Sequence, residues 1–154
     1  MIFAREDVMK KLTHHEFSIG LPEGWQDMTE VFLQGPASEE GLAPSIIVLK
    51  EELETEQNVE DFAYEQLEGL MEAIEAKGIE AFDEGIIKIA GQDAFQRIYN
   101  FPFSEATFTQ MQVYVIRRSI AYIIIFTTDK KRFSKDLPIF KKILGNFKFE
   151  NQMQ

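Results

Sequence analysis

The sequence predicts an α+β domain in which a mostly antiparallel β-sheet is flanked by helices. Strand-like segments fall into two groups, three before and four after one strongly amphipathic helix, and a second helix follows the last strand. The turns between the last four strands are so short that they force hairpins, and therefore antiparallel neighbours. The predicted element order is βββ-α-ββββ-α, with the helices packed on the sheet.

Residues 1–15 are predicted to be an N-terminal extension that forms a short helix up to Lys11, and residues 16–150 a single domain. From Phe17 to Leu21 apolar and small residues alternate, which is typical of a half-buried strand. Pro22 and Gly24 end this strand.

The only tryptophan, Trp25, follows the first turn. We expect its ring to pack at the sheet edge and its indole N–H to find a nearby acceptor. Two further strands are predicted at residues 30–34 and 45–50.

The central helix carries the strongest periodic signal in the chain. Asn58 is a suitable N-cap, Asp61 lies in the first turn, and Gly78 is suited to end the helix. One stripe is apolar at three- and four-residue steps, and the opposite face is rich in glutamate. The stripe consists of Val59, Phe62, Ala63, Gln66, Leu67, Leu70, Met71 and Ile74.

Four strands follow, the first around residues 79–82 with 86–89 and the others around 94–101, 107–116 and 120–128. The last one is apolar on both faces, so both faces of the sheet must be covered there. Ser134 is predicted to cap the second helix, which Gly145 and Asn146 end.

Composition excludes several classes of function. The chain has 154 residues, a formal net charge of −10 and no cysteine. An acidic chain repels phosphate backbones, so no nucleic-acid partner is expected. The longest apolar run, residues 120–126, is far shorter than the roughly 20 residues of a membrane-spanning helix, so stable membrane insertion is not expected. The N-terminus has no apolar run of signal-peptide length, which favours a cytoplasmic protein.

No catalytic, metal or cofactor site is predicted. The only two histidines, His14 and His15, are adjacent, and in an extended segment their side chains point to opposite sides. The carboxylates between Glu51 and Glu75 favour a solvated face, and phosphate-binding glycine loops are missing. An enzyme built on the glutamates around Asn58 is the weakest hypothesis.

The strands at 107–116 and 120–128 combine aromatic, aliphatic and amide side chains, and this pattern has two interpretations. One is that the two helices and the N-terminal segment cover the whole sheet. The other is that part of one face is an open groove for an apolar ligand or a partner helix. The predicted partner-binding residues are Phe108, Gln110, Gln112, Tyr114, Tyr122 and Ile124.

Short motifs from about residue 16 to residue 149 resemble the DcrB-related family. They are FSIGLPEGWQDMTEVFL, LKEEL, QLEGL, IKIAGQDAFQRIYNF, TFTQMQVYVIRRSIAYIIIFTT and ILGNFKF. The resemblance implies the PsbP-like fold, an α/β/α sandwich with an antiparallel sheet.

A subset of that family comprises the effector-associated chaperones of bacterial type VI secretion. They hold the hydrophobic N-terminal helices of a toxin effector in a sheet-lined groove, commonly as dimers. The TQMQVYV strand is similar to their glutamine-bearing strand at Gln110 and Gln112. The resemblance thus implies a non-enzymatic cytoplasmic chaperone with a hydrophobic effector helix as its partner, and a homodimer. The alternative is a small-ligand or lipid-binding protein on the same scaffold.

Overall fold

The computed structural model describes residues 10–14, 16–37 and 42–150. From Phe17 onward the predicted order βββ-α-ββββ-α is confirmed. The elements are β1 (Lys10–His14), β2 (Phe17–Leu21), β3 (Val31–Gln34), β4 (Ser45–Glu52), α1 (Val59–Lys77), β5 (Glu80–Ile89), β6 (Gln92–Phe103), β7 (Ala106–Arg117), β8 (Ile120–Asp129) and α2 (Phe133–Gly145).

Six strands form one antiparallel sheet in the order β3-β4-β8-β7-β6-β5. Strands β1 and β2 form a separate two-stranded hairpin. The prediction of a helix was therefore wrong for Lys10 and Lys11, which pair with Leu21 and Gly20. A short helix has few hydrogen bonds to offset its nucleation cost, so a neighbouring strand competes well with it. Residues 1–9 lie outside the described residues.

One face of the large sheet, here called the back face, holds the larger hydrophobic core. Met111, Val113 and Val115 point to it from β7, and Phe140 and Leu144 of α2 pack against them. An aromatic pair, Phe126 and Phe140, packs with ring centroids 4.3 Å apart and ring planes tilted by 32°. Helix α2 thus covers the back face. Such cover was predicted, because the last strand is apolar on both of its faces.

The opposite side, here called the front face, is covered in part by α1. Phe62 and Ala63 are fully buried against Tyr114 and Phe95. The predicted caps of α1 are confirmed at its start, where the Asn58 Oδ1 accepts from the Asp61 N–H at 2.8 Å. Gly78 ends the helix with φ +72°, a backbone conformation that glycine adopts without strain.

Helix α2 begins differently from the prediction. A 3-10 turn over Lys130–Arg132 precedes it, and Asp129 caps that turn by accepting from the Lys131 N–H at 2.9 Å. Arg132 is the N-cap of α2, without a side-chain capping hydrogen bond, so Ser134 is not the cap. The 3-10 turn leads directly into α2 and moves the N-cap from Ser134 to Arg132, so the helix starts two residues earlier than the capping pattern suggested.

Candidate partner-binding groove

Four of the six predicted partner-binding residues share the front face. Phe108, Gln110, Gln112 and Tyr114 alternate along β7, and residues two apart in a strand project to the same side. Phe108 and Tyr114 are buried, at 7% and 1% exposure, while the two glutamines between them are half-buried. The amides are therefore the accessible part of this row.

The other two residues lie on the back face, contrary to the prediction. Tyr122 pairs with Val115 and Ile124 with Val113, so both belong to the side covered by α2. In their place Ile123 and Ile125 face the front, opposite Tyr114 and Gln112.

The length of the β7–β8 turn explains this error. Arg117 pairs with Ile120, which leaves a turn of two residues, Arg118 and Ser119, at φ 53° and 64°. Positive φ at both central residues is the type I′ pattern, which usually contains asparagine or glycine. The predicted strand bounds, 107–116 and 120–128, leave a turn of three residues, and a register shift of one residue moves every side chain to the other face.

Part of the front face remains open beside α1. The helix packs mainly on β6 and β7, and Leu67 near its middle lines a cavity together with Phe82 of the β5 edge. Toward the β3 edge a row of side chains is exposed or half-buried within the described part of the chain. We call this row the open strip; it consists of Phe32, Ile47, Gln110, Gln112, Ile125 and Thr127.

A hydrogen-bonded network runs through the open strip and the buried residues beside it. The Gln112 Nε2 donates to the Tyr99 hydroxyl at 2.6 Å and to the Gln110 Oε1 at 2.9 Å. The Tyr114 hydroxyl donates to the Gln112 Oε1 at 2.5 Å, and the Tyr99 hydroxyl donates to the Gln110 Oε1. The Gln110 Nε2 donates to the Thr127 Oγ1 at 3.1 Å. These contacts hold both amides in one orientation.

Arg97, which sequence reasoning missed, lies behind this network with no exposed surface. Its Nε donates to the Glu84 Oε2 at 3.0 Å, its Nη1 to the Tyr114 hydroxyl at 3.4 Å and its Nη2 to the Ala63 carbonyl of α1 at 3.3 Å. The guanidinium also lies 5.3 Å from the Phe95 ring centroid. A signal was present, because in the predicted strand 94–101 Arg97 alternates with Phe95 and Tyr99, which places it on their face.

Both buried phenols stay protonated. Burial raises the pKa of Tyr99 and the pKa of Tyr114, because desolvation disfavours the phenolate. For Tyr114 the nearby Arg97 opposes this rise without cancelling it. Each hydroxyl therefore keeps the proton that its hydrogen bond in the network requires.

A cavity of about 320 Å³ lies at one end of the open strip. Phe32, Leu42, Phe101 and Phe108 supply most of its apolar lining, and Thr127 supplies a hydroxyl. A second cavity of about 420 Å³ lies near the start of α1 and has a mainly polar lining. The first cavity is the one that continues the open strip.

Trp25 does not pack at the sheet edge, contrary to the prediction, because its side chain is 70% exposed. Its backbone N–H donates to the Pro22 carbonyl at 3.1 Å, which closes the turn after β2. Phe17 and Ile19 of β2 are also more than half exposed, so β2 is not the half-buried strand that its alternation predicted. This part of the chain thus presents a large apolar surface.

The carboxylates singled out in the sequence point to solvent. Every described member of that set is exposed, and five of them follow the outer side of α1: Glu60, Asp61, Glu65, Glu68 and Glu72. Among residues 10–14, 16–37 and 42–150 no three histidine or acidic side chains come together as a metal site. His14 ends β1, and His15 lies outside the described residues. No helix in the described ranges is both long and apolar enough to cross a bilayer.

The family model of DcrB matches residues 16–137, which is most of the chain. The chain belongs to the DcrB family. A comparison with curated proteins finds no significant match for this DcrB-family chain.

Solved structures support the same fold. PA94 from Pseudomonas aeruginosa, a protein of unknown function, has a TM-score of 0.78 and 21% identity, covering 94% of this chain and 99% of that one. The cyanobacterial PsbP protein CyanoP from Synechocystis sp. PCC 6803 has a TM-score of 0.52 and 11% identity, covering 88% and 89%. The DcrB-family chain therefore has the PsbP-like fold that its motifs predicted.

Proposed function

We propose that this protein is a non-enzymatic cytoplasmic chaperone or adaptor that holds a hydrophobic helix of a client, in the manner of the effector-associated chaperones of type VI secretion. The open strip is the observation that carries the proposal. Its half-buried aliphatic side chains, Ile47 and Ile125, flank the ordered amides of Gln110 and Gln112. Helices in a membrane contact one another through small residues and through polar residues that hydrogen-bond across the interface. A protein that holds such a helix outside the membrane needs a surface with both apolar and amide side chains.

The dimensions of the open strip suit one helix. The open strip crosses the front face of β7, β8, β4 and β3, and neighbouring strands are about 4.8 Å apart, so its width is about 14 Å. A helix with its side chains is about 10–12 Å wide. A client helix lying beside α1 would cover Phe32 and Ile125 and complete the layer that α1 begins.

Charge beside the open strip favours a client with basic flanks. The exposed carboxylates lie on the outer side of α1, the helix that borders the open strip, and the whole chain carries a net charge of −10. This negative charge attracts Lys and Arg residues that border a hydrophobic segment and raises the association rate at low salt.

The test is a pull-down with the purified chain from a lysate of its own organism. We expect recovery of one protein with a hydrophobic N-terminal segment, and loss of that protein when the segment is deleted. Ile125→Asp in the open strip should abolish recovery. Ile139→Asp, an equally drastic change at an exposed position on α2, should not. Equal recovery with both variants would refute the groove as the binding site.

A milder variant, Gln110→Ala, should weaken client binding while the fold stays intact, because Gln110 is only half-buried. Tyr114→Ala changes another of the predicted partner-binding residues but is not an equivalent test. The structure makes it unsuitable, since Tyr114 is 1% exposed and its loss would cost about 3–5 kcal/mol of stability, as for other large core aromatics.

The cavity at the end of the open strip favours small-ligand or lipid binding as a second candidate function. Its volume of about 320 Å³ is at the lower end of the range of small-molecule sites, about 300–1,000 Å³. Native mass spectrometry of the purified protein would detect a retained ligand. A ligand that is lost in Phe108→Trp, which fills the cavity, would favour this function over the chaperone.

We also propose that the protein forms a homodimer through the β3 edge of the sheet. The opposite edge, β5, is protected by charged residues and by an irregularity between Ala81 and Asp83. Strand β3, with the sequence VFLQ, has no charge and exposes Val31, Phe32 and Leu33. An apolar edge without such protection pairs readily with another strand, and a second copy offers the same edge by two-fold symmetry.

Light scattering after size-exclusion chromatography tests the dimer. Leu33→Lys should give a monomer, since it places a charge in the proposed interface. Phe82→Lys changes an equally exposed residue on the β5 edge and should leave the mass at twice that of one chain. A parent protein that runs as a monomer would refute the proposal.

A further inference from the structure

A series of hydrogen bonds on the front face runs in one donor-to-acceptor direction, from the Arg97 guanidinium to the Thr127 hydroxyl. They begin at Arg97, whose guanidinium has only donors. Its Nη1 donates to the Tyr114 hydroxyl, so this oxygen acts as an acceptor toward Arg97. The Tyr114 proton is then directed to the Gln112 Oε1.

The reverse orientation of the Gln112 amide is unfavourable. With the amide turned over, its Nε2 would donate to Tyr114, and the Tyr114 oxygen would then accept both from Gln112 and from Arg97. The buried Tyr114 O–H would be left without an acceptor, which carries the desolvation penalty of an unpaired buried donor. The fixed donor character of Arg97 therefore decides which way the Gln112 amide points.

The orientation of the Gln112 amide determines the hydrogen bonds of Gln110 and Thr127. Because the Gln112 Nε2 faces Tyr99 and Gln110, the Gln110 Oε1 is the acceptor on that side. The Gln110 Nε2 then faces Thr127 and donates to its Oγ1. With that oxygen accepting from Gln110, the Thr127 proton is available to a different acceptor, and Thr127 lines the cavity at the end of the open strip.

We infer that Arg97 is a positioning residue that makes the Thr127 end of the open strip a hydrogen-bond donor, and that this end therefore selects an acceptor oxygen on a bound apolar helix. A serine in such a helix suits it, because the serine proton bonds to the carbonyl four residues earlier and its lone pairs face outward. This inference rests on the proposed groove function and adds that the groove recognises a hydrogen-bond acceptor on the client helix.

The binding test uses lysine-flanked helical peptides of alanine and leucine. One peptide has no serine, and four others carry a single serine at successive positions, which together cover one helical turn. The parent protein should bind the best serine peptide about three- to tenfold more tightly than the serine-free one, the effect of one net hydrogen bond. Arg97→Lys keeps a donor-only cation and should keep this preference.

Arg97→Gln can accept as well as donate, so it should reduce the preference to about one. Tyr114→Phe interrupts the chain between Arg97 and Gln112 without removing the buried charge, and it should have the same effect. It also serves if Arg97→Gln does not fold. An unchanged serine preference in folded Arg97→Gln or Tyr114→Phe would overturn the inference.

A second readout does not depend on the peptides. In the parent protein and in Arg97→Lys, NMR cross-peaks should connect the Gln112 side-chain NH₂ to the ring of Tyr99. They should not connect it to the Tyr114 ring protons next to the hydroxyl. In Arg97→Gln the NH₂ group should show both contacts. If no peptide binds the parent protein, the proposed function fails. If the Gln112 amide has the same orientation in the parent and in every variant, the role of Arg97 is overturned.

Discussion

Removing Glu84 should destabilise the protein more than removing Arg97, although the two side chains form one ion pair. The Arg97 Nε lies 3.0 Å from the Glu84 Oε2, but the Arg97 side chain is 0% exposed and the Glu84 side chain 48% exposed. When one partner is removed, the charged group that remains needs solvation by water in place of the ion pair. Glu84 can obtain this solvation, whereas Arg97 cannot.

The structure gives the expected magnitudes. In Arg97→Met the Glu84 carboxylate turns to solvent, and the Tyr114 hydroxyl keeps Gln112 as a hydrogen-bond partner in either orientation of the amide, so we expect a loss of about 1–2 kcal/mol. In Glu84→Ala the guanidinium stays buried without its carboxylate. Breaking a fully buried pair costs about 3–5 kcal/mol, and we expect about 2–3 kcal/mol because water can enter the half-exposed site of Glu84.

Urea unfolding followed by far-UV circular dichroism at one fixed protein concentration measures both losses. Each kcal/mol corresponds to a shift in Tm of about 2–4 °C for a chain of this length. Glu84→Gln, which keeps an acceptor oxygen for Arg97, is the matched control and should lose less stability than Glu84→Ala.

The double variant Glu84→Ala with Arg97→Met should be nearly as stable as Arg97→Met alone, because it contains no unpaired buried charge. Two results would refute the reasoning. One is a larger loss for Arg97→Met than for Glu84→Ala. The other is a double variant whose loss equals the sum of the two single losses.

Three further predictions concern residues whose positions the structure revised or fixed. Ile124→Ala should cost about 2–5 kcal/mol in urea unfolding without a specific effect on client binding, whereas Ile125→Ala should weaken binding with a smaller loss of stability. Trp25 should have red-shifted fluorescence that acrylamide quenches readily in the unbound monomer; a blue-shifted, protected emission there would contradict its 70% exposure. Absorbance titration at alkaline pH should show Tyr99 and Tyr114 ionising above their ordinary pKa of about 10. Since the unfolded state loses these protons first, stability should fall as pH rises above about 10, and a stability that is flat or rising there would be the opposite result.

The sequence determined the fold class because patterns along a single element carry that information. The spacing of Val59, Phe62 and Ala63 predicted α1 and its buried face, and Asn58 and Gly78 predicted its ends. Short turns predicted the antiparallel β5–β8 hairpins, and alternation placed Phe108, Gln110, Gln112 and Tyr114 on one face. Each of these features depends on residues within one helix, one strand or one turn.

Only the tertiary structure decided how elements combine. The pairing of Arg117 with Ile120 placed Ile125, rather than Ile124, beside Gln112, since the face of a strand changes with each residue of register. The exposure of Trp25 depended on where the chain runs after β2, and aromatic character alone does not determine burial. The donor polarity of the open strip arose because β6, β7 and α1 bring Arg97, Tyr114 and Ala63 together, and such a contact between three elements leaves no pattern in any one of them.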